Sequence, residues 1–109
     1  MIEKTVTVII DRPLGSFHPK YKTLYYPINY GYVPHIMGGD GEEQDAYILG
    51  IDKPLTDFTG TVIAVIHRSN DVEDKWVVAP NGMSFTKEEI LRAVDFQEKY
   101  FEIEIEMLE

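Results

Sequence analysis

Hydrophobic and polar residues alternate in short runs that predict a protein built mainly of β-strands. The clearest strand pattern covers residues 59–67, and residues 3–11 are also dominated by β-branched side chains. Shorter apolar runs at residues 46–51 and 75–79 predict two further strands. Because few residues separate 59–67 from 75–79, we expect these two strands to form an antiparallel hairpin.

Two segments in the first third of the chain have less regular patterns. Residues 25–33 are aromatic and apolar, but Pro27 and Gly31 predict an irregular strand at a sheet edge or a bulge. Residues 17–22 are polar and mixed, and they follow turn-forming residues, which predicts a loop or the tip of a hairpin.

One helix is predicted, late in the chain. Thr86 and Glu89 have the spacing of a capping box, and apolar residues then recur at helical spacing as far as Tyr100. Over residues 101–107 the apolar period changes to two, which predicts a terminal strand. The whole pattern is typical of a mainly β (α+β) fold. We expect a single domain over residues 1–109, formed by a small β-barrel, one packed helix and the terminal strand.

Composition narrows the classes of function. The 109 residues contain no cysteine, which excludes disulfides and thiolate metal sites. The net charge of −9 argues against nucleic acid as a partner, because phosphate backbones attract basic surfaces. No run approaches the roughly 20 apolar residues that cross a bilayer, and the N-terminus lacks a signal-peptide pattern. We therefore expect a cytoplasmic protein that does not bind membranes.

Acidic residues cluster in one glycine-rich stretch of the sequence. Asp40, Glu42 and Asp45 lie beside Gly38, Gly39 and Gly41, at the entrance to a predicted strand. A flexible acidic turn of this kind can form a binding site for a hard divalent cation. The stretch does not follow the EF-hand calcium pattern. The same residue types are ordinary in turns, so the spacing alone fits a solvated surface turn equally well.

The sequence on both sides of this stretch resembles the soluble family I inorganic pyrophosphatases. Residues 26–34 read YPINYGYVP and residues 40–45 read DGEEQD, which is similar to that family's YPxNYGY segment, short spacer and DGDPxDV motif. Residues 10–12 look like its strand ending in a substrate-binding arginine. Residues 71–80, DVEDKWVVAP, look like its acidic turn and KxVxxP strand, and residues 96–100 resemble the end of its FxxYK helix.

The resemblance implies a five-stranded, OB-like barrel with flanking helices. It also implies hydrolysis of pyrophosphate, or of a similar phosphorylated small molecule, with Mg²⁺ or Mn²⁺ as cofactor. The implied metal ligands are five carboxylates: Asp40, Glu42, Asp45, Asp71 and Glu73.

The remaining implied roles belong to a base, two cations and two phenols. Glu42 corresponds to the family carboxylate that orients or deprotonates the attacking water. Arg12 and Lys75 are the implied phosphate clamps, because fixed cations stabilise charge on transferred phosphates. Tyr30 and Tyr100 are implied to donate hydrogen bonds to phosphate or to the water.

The chain departs from the family pattern at several positions. Glu42 stands where the family has the shorter aspartate, and Phe101 stands where a lysine follows the helix tyrosine. The family's early hairpin, with its substrate lysine, has no counterpart, and His18, Lys20 or Lys22 are candidates to replace it. These departures keep an alternative open, namely a specialised relative that binds or hydrolyses a nucleotide or polyphosphate. The family is commonly oligomeric, and the apolar face of residues 101–107 is either an interface of a homo-oligomer or part of the core.

Overall fold

The computed structural model describes residues 4–39, 41–69 and 73–108. No helix in these three ranges is long and apolar enough to cross a membrane. Six strands and one helix follow one another along the chain: β1 (Thr5–Arg12), β2 (Asn29–Met37), β3 (Glu43–Ile48), β4 (Asp57–Arg68), β5 (Asp74–Ala79), α1 (Lys87–Glu98) and β6 (Ile103–Met107).

The first five strands close into a barrel. β1 pairs with β2, β2 with β3, β3 with β5 and β5 with β4, and β4 pairs back with β1. The β3–β5 pair is parallel, whereas the other four pairs are antiparallel. β6 adds to β4 outside this circle, also antiparallel. The predicted five-stranded barrel with one late helix and a terminal strand is therefore confirmed.

The long strand β4 belongs both to the barrel and to its outer extension. Residues 57–61 pair with β1, and residues 64–68 pair with β6. Opposite β5, the register shifts between Val62 and Ala64, and a bulge of this kind bends a strand. The second half of β4 can therefore leave the closed circle and pair with β6.

Alternate residues of the central strands face two separate cores. One core draws on all five barrel strands and includes Ile48 and Val78. The other lies between the sheet, β6 and α1, and it includes Tyr47, Val77 and Ile90. Since successive side chains of a strand point to opposite faces, β3 and β5 bury both of their faces. This is why residues 46–48 of β3 and 77–79 of β5 are short, continuous apolar runs.

The locally encoded elements agree with their predictions. In the capping box, Glu89 N donates to Thr86 Oγ1 at 3.1 Å and Thr86 N donates to Glu89 Oε1 at 2.8 Å. The antiparallel hairpin of β4 and β5 and the terminal strand are also present. Residues 17–22 form a hairpin tip, since Phe17 and Tyr25 make an antiparallel bridge across it.

The bounds predicted for the second and third strands are wrong. β2 begins at Asn29 instead of residue 25 and continues to Met37, and its irregular part lies near His35, which has a φ of 69°. β3 begins at Glu43, three residues before the apolar run, and ends at Ile48. The cause is pairing between the two strands, in which Tyr32 lies opposite Asp45. Half of the acidic stretch is therefore strand instead of loop.

Candidate metal and phosphate site

Four carboxylates surround a cleft formed by β1, β2 and the start of β3. This acidic cleft is lined by Asp11, Tyr32, Glu42, Glu43 and Asp45 and has a volume of about 340 Å³. Asp11, Glu42 and Glu43 are exposed to solvent, and Asp45 is partly buried. The cleft therefore concentrates negative charge at a surface that a small cation can reach.

Close packing of β1 against β2 places the cleft residues. Gly31 allows this approach, because a Cβ atom at this position would lie 1.9 Å from the carbonyl oxygen of Ile9. Just beyond it, the register of β1 shifts between Ile10 and Arg12. Asp11 is the additional residue of this bulge, and bulges commonly redirect side chains at functional sites. The bulge brings Asp11 to the acidic cleft and sets Arg12 opposite Tyr30.

A buried lysine joins the acidic cleft to β5. Lys75 Nζ donates to Tyr30 Oη at 2.9 Å and to Asp45 Oδ2 at 2.6 Å, and it also donates to Glu73 Oε1. These four residues form the Lys75 cluster. The Lys75 side chain is only 4% exposed, so its charge depends on the two carboxylates for stabilisation. Asp45 belongs to both groups and makes the cleft and the cluster one continuous site.

The ionisable groups of this site influence one another. Burial raises the pKa of Glu73, the hydrogen bond from Lys75 opposes the rise, and neighbouring Asp45 adds to it. Burial also raises the pKa of Asp11, against the effect of Arg12 and with a further contribution from Asp45. The pKa of Tyr30 lies well above its ordinary value because the ring is buried and the Asp45 charge is close. Asp45 therefore contributes to the raised pKa of both Glu73 and Asp11. A cation bound beside Asp45 would favour the ionised forms of these two carboxyl groups.

The donor atoms of the site suit a hard divalent cation. All of its candidate ligands are carboxylate oxygens, the atoms that Mg²⁺ and Mn²⁺ prefer. Among residues 4–39, 41–69 and 73–108, however, no three acidic or histidine side chains converge closely enough to form a ready-made metal site. Two of the five predicted ligands, Asp40 and Asp71, lie outside these described residues. Glu42 and Asp45 share the acidic cleft, and Glu73 joins Asp45 through Lys75.

Arg12 lies at the edge of this site and is partly exposed. Its Nη1 donates to the carbonyl oxygen of Asp11 at 3.0 Å and lies 3.7 Å from Asp11 Oδ2. Burial raises the pKa of Tyr26, and the Arg12 guanidinium beside its hydroxyl opposes that rise. Arg12 thus stands beside both the acidic cleft and Tyr26, where an anion bound at the cleft could meet it.

Tyr100 lies in a different place from the other predicted site residues. Its side chain is 68% exposed and lines a second, larger cleft near the end of α1. Lys99 Nζ is 5.5 Å from the centre of its ring. The structure therefore gathers Tyr30, Asp45, Glu73 and Lys75, brings Glu42 to their side, and sets Tyr100 apart.

Sequence reasoning missed a buried polar network between the barrel and α1. Arg68 binds both carboxylate oxygens of Glu98, at 2.9 Å and 2.6 Å. Tyr47 Oη donates to Glu98 Oε2 at 2.5 Å and accepts from Gln97 Nε2 at 2.6 Å, and Tyr26 Oη donates to Gln97 Oε1 at 2.8 Å. The signal was the pair of polar residues at the end of the amphipathic helix. Their partners lie 30 or more residues away, so the sequence did not identify them.

Comparison with known proteins finds relatives by structure but not by sequence. No protein-family model matches the sequence, and no curated protein sequence matches it either. The inorganic pyrophosphatase of Ehrlichia chaffeensis matches with a TM-score of 0.74 at 19% identity, over 99% of this chain and 88% of that chain. The Coxiella burnetii enzyme matches with a TM-score of 0.69 at 15% identity, over 97% and 86%. The Helicobacter pylori enzyme matches with a TM-score of 0.67 at 17% identity, over 95% and 83%. The chain therefore has the fold of the bacterial inorganic pyrophosphatases.

Proposed function

We propose that this protein hydrolyses inorganic pyrophosphate to phosphate with Mg²⁺ or Mn²⁺. The observation that carries the proposal is the Lys75 cluster, in which a buried ammonium binds Asp45 and Glu73 beside the acidic cleft. The fold shared with bacterial inorganic pyrophosphatases supports it. Carboxylates of two elements and a lysine are then within reach of one small, highly charged ligand.

The acidic side chains would hold the metal ions. Asp45 and Glu42 are proposed as ligands from the side of β3, and Glu73 from the side of β5, with Asp40 and Asp71 completing the set. When bound, divalent ions neutralise phosphate charge and lower the pKa of the attacking water. An acidic protein suits this arrangement, because its many carboxylates bind the metal ions and only a few cationic side chains need to contact phosphate.

Arg12 and Lys75 are proposed to contact the phosphates. Arg12 lies at the edge of the acidic cleft, and its side chain is 28% exposed. Lys75 already donates to Tyr30, Asp45 and Glu73, so it can turn an N–H towards phosphate only when one of these bonds is released. Its arrangement therefore makes phosphate binding depend on the charge that Asp45 and Glu73 carry.

Glu42 is proposed as the general base of the reaction. Water attacks one phosphorus, the bond from that phosphorus to the bridging oxygen breaks, and Glu42 accepts a proton from the water. The second phosphate leaves with the bridging oxygen. Tyr30 is proposed to orient the water or a phosphate through the hydroxyl that now binds Lys75.

A phosphate-release assay tests the proposal. Purified protein is incubated with pyrophosphate and Mg²⁺, Mn²⁺ or EDTA, and turnover is expected with either metal and not with EDTA. Asp45→Asn should lower turnover at least about a hundredfold, since the metal ions that neutralise phosphate charge lose one proposed ligand. Asp52→Asn, at an exposed aspartate outside the cleft, is the matched control. Release no faster than in buffer with both metals would overturn the proposal.

Three expectations from the sequence stay predictions beside this proposal: a single domain, a cytoplasmic location and assembly into a homo-oligomer. The mass of the purified protein in solution tests the assembly. Met107 is 38% exposed and marks the part of the β6 face that a second copy would cover.

A further inference from the structure

A second cleft lies between the hairpin tip and the end of α1. Its volume is about 820 Å³, and small-molecule sites typically occupy roughly 300–1,000 Å³. Tyr21 is 58% exposed and Tyr100 is 68% exposed, so part of each ring is open to a ligand, while His18 and Lys20 lie against the ring of Tyr21 and Lys99 lies against that of Tyr100. We call this space the aromatic cleft, after its principal lining residues Tyr21, Tyr25, Phe96, Tyr100 and Phe101.

Hydrogen-bond donors and positive charge complete the lining of the aromatic cleft. Lys99 and His18 supply them, whereas the charge of Arg68, which also lines the cleft, is balanced by Glu98. The Nδ1 atom of His18 accepts the backbone N–H groups of Lys20 and Tyr21, at 3.0 Å and 3.1 Å. A neutral imidazole with an accepting Nδ1 carries its proton on Nε2, so that atom is a donor. This combination suits a planar, hydrogen-bonding ring attached to an anionic group.

One tyrosine separates the aromatic cleft from the Lys75 cluster. The ring of Tyr26 stacks on His18, with 6.5 Å between ring centres and 19° between planes. The ring centre of Tyr26 also lies 5.7 Å from that of Tyr30, whose hydroxyl binds Lys75. Arg12 lies beside the Tyr26 hydroxyl. The ring centres of His18, at the aromatic cleft, and Tyr30, in the Lys75 cluster, are therefore no more than about 12 Å apart.

We propose that the aromatic cleft binds the base of a nucleoside di- or triphosphate whose phosphates reach Arg12 and the Lys75 cluster. This inference rests on the proposed function and extends its substrate class from pyrophosphate to nucleotides. Water attacks the terminal phosphorus, the bond to the bridging oxygen breaks, and Glu42 takes up the proton. The products are phosphate and a nucleotide with one phosphate fewer.

The experiment compares three substrates that share a phosphoanhydride bond. Phosphate release is measured with Mg²⁺ from ATP, from inorganic tripolyphosphate and from pyrophosphate. Tripolyphosphate has the chain of phosphates without a base, so the base should lower KM for ATP about tenfold relative to it. Tyr21→Ala should raise KM for ATP about tenfold and leave KM for pyrophosphate within about twofold, whereas Tyr21→Phe should behave as the parent. Leu91→Ala, which removes an exposed apolar side chain of α1 outside the cleft, is the control.

The outcomes separate this inference from the proposed function. Hydrolysis of pyrophosphate without hydrolysis of ATP would overturn the inference alone, as would equal KM values for ATP and tripolyphosphate. Loss of pyrophosphate turnover in Tyr21→Ala would also overturn it, because the cleft would then not be specific for the base. ATP binding that depends on Tyr21, in a protein that does not hydrolyse pyrophosphate, would support the cleft and contradict the proposed function. A dimer that Tyr21→Ala dissociates and ATP does not would assign the cleft to a second copy and overturn the inference.

Discussion

The ammonium of Lys75 lies 2.6 Å from Oδ2 of Asp45, so a side chain predicted to clamp phosphate binds one predicted to hold metal. The two are also linked through Glu73, which accepts from the same nitrogen. In this arrangement the lysine supplies the positive charge that the two carboxylates require. Metal binding and phosphate binding are therefore expected to be coupled, because both draw on the same hydrogen bonds.

Replacement of this lysine should make stability depend on metal. Lys75→Met leaves Asp45 and Glu73 without their shared cation, and we expect a loss of about 1–3 kcal/mol, since both carboxylates are partly exposed. Mg²⁺ should restore part of this loss by neutralising the same carboxylates. Urea unfolding in EDTA and in Mg²⁺ measures both effects, with exposed Lys22→Met as control. An equal loss in the two buffers would contradict the coupling.

Removal of the proposed base should abolish most turnover without unfolding the chain. Glu42→Gln keeps the size of the side chain and removes its ability to take up a proton, so kcat should fall about 10²–10⁴-fold. The midpoint of urea unfolding should stay close to that of the parent, because Glu42 is exposed. Glu88→Gln, on the exposed first turn of α1, is the control. Retained kcat would remove Glu42 from the role of base.

The buried pair of Arg68 and Glu98 should contribute strongly to stability. Their side chains are 6% and 1% exposed, so removal of one partner leaves a buried charge without its counter-charge. We expect Glu98→Leu to lower the free energy of unfolding by about 3–5 kcal/mol. The double variant Arg68→Met with Glu98→Leu should recover much of the loss, because neither charge then remains.

Urea unfolding of the two single variants, the double variant and exposed Glu102→Gln measures this interaction. Additive losses in the double variant would show that the pair does not act as a unit.

His67 should make stability depend on pH through contacts with two neighbouring strands. Its Nε2 lies 2.8 Å from Glu106 Oε1 on β6, and its Nδ1 lies 3.2 Å from Asp74 Oδ1 on β5. The hydrogen bond with Glu106 raises its pKa, burial opposes the rise, and Asp74 adds to it. A raised folded-state pKa stabilises the protein below the ordinary pKa of histidine, and this contribution is lost as pH rises through the folded-state value.

The measurement is the free energy of unfolding from pH 5 to pH 9, for the parent and for His67→Gln. The parent should lose stability relative to the variant as pH rises, and His18→Gln serves as a second histidine variant. Parallel pH profiles of the parent and His67→Gln would contradict the role of His67.

The parts of the fold that the sequence predicted are those encoded locally. β4 and α1 carry their own patterns of apolar residues, and Thr86 and Glu89 fix the start of the helix within four residues. The bounds of β2 and β3 depend on pairing between them, which no single-strand pattern contains. Pro34 can lie inside β2 because the register there is irregular, and a residue without an N–H is tolerated at a bulge.

The candidate site was predictable to a similar extent. The resemblance indicated Asp45, Glu73 and Lys75 together, but it did not indicate that the lysine is buried and bound by both carboxylates. Asp11 was overlooked because its place in the acidic cleft depends on a bulge in β1. The pairing of Arg68 with Glu98 joins residues far apart in sequence, where neither charge type nor spacing gives a local signal.

The length of β4 has a consequence for how the molecule opens. The strand pairs with β1, β5 and β6, and its outer half packs in the same core as α1. Separation of the helix from the barrel and opening of the barrel therefore both disturb one strand. Its central amides, near Val62 and Ala64, should be released to solvent only when the whole structure unfolds. The hairpin tip at residues 17–22 contributes little to that core, so it can open while β4 stays intact. The amide hydrogens at the centre of β4 should therefore exchange late, and those of the hairpin tip should exchange early. The hairpin tip forms one wall of the aromatic cleft.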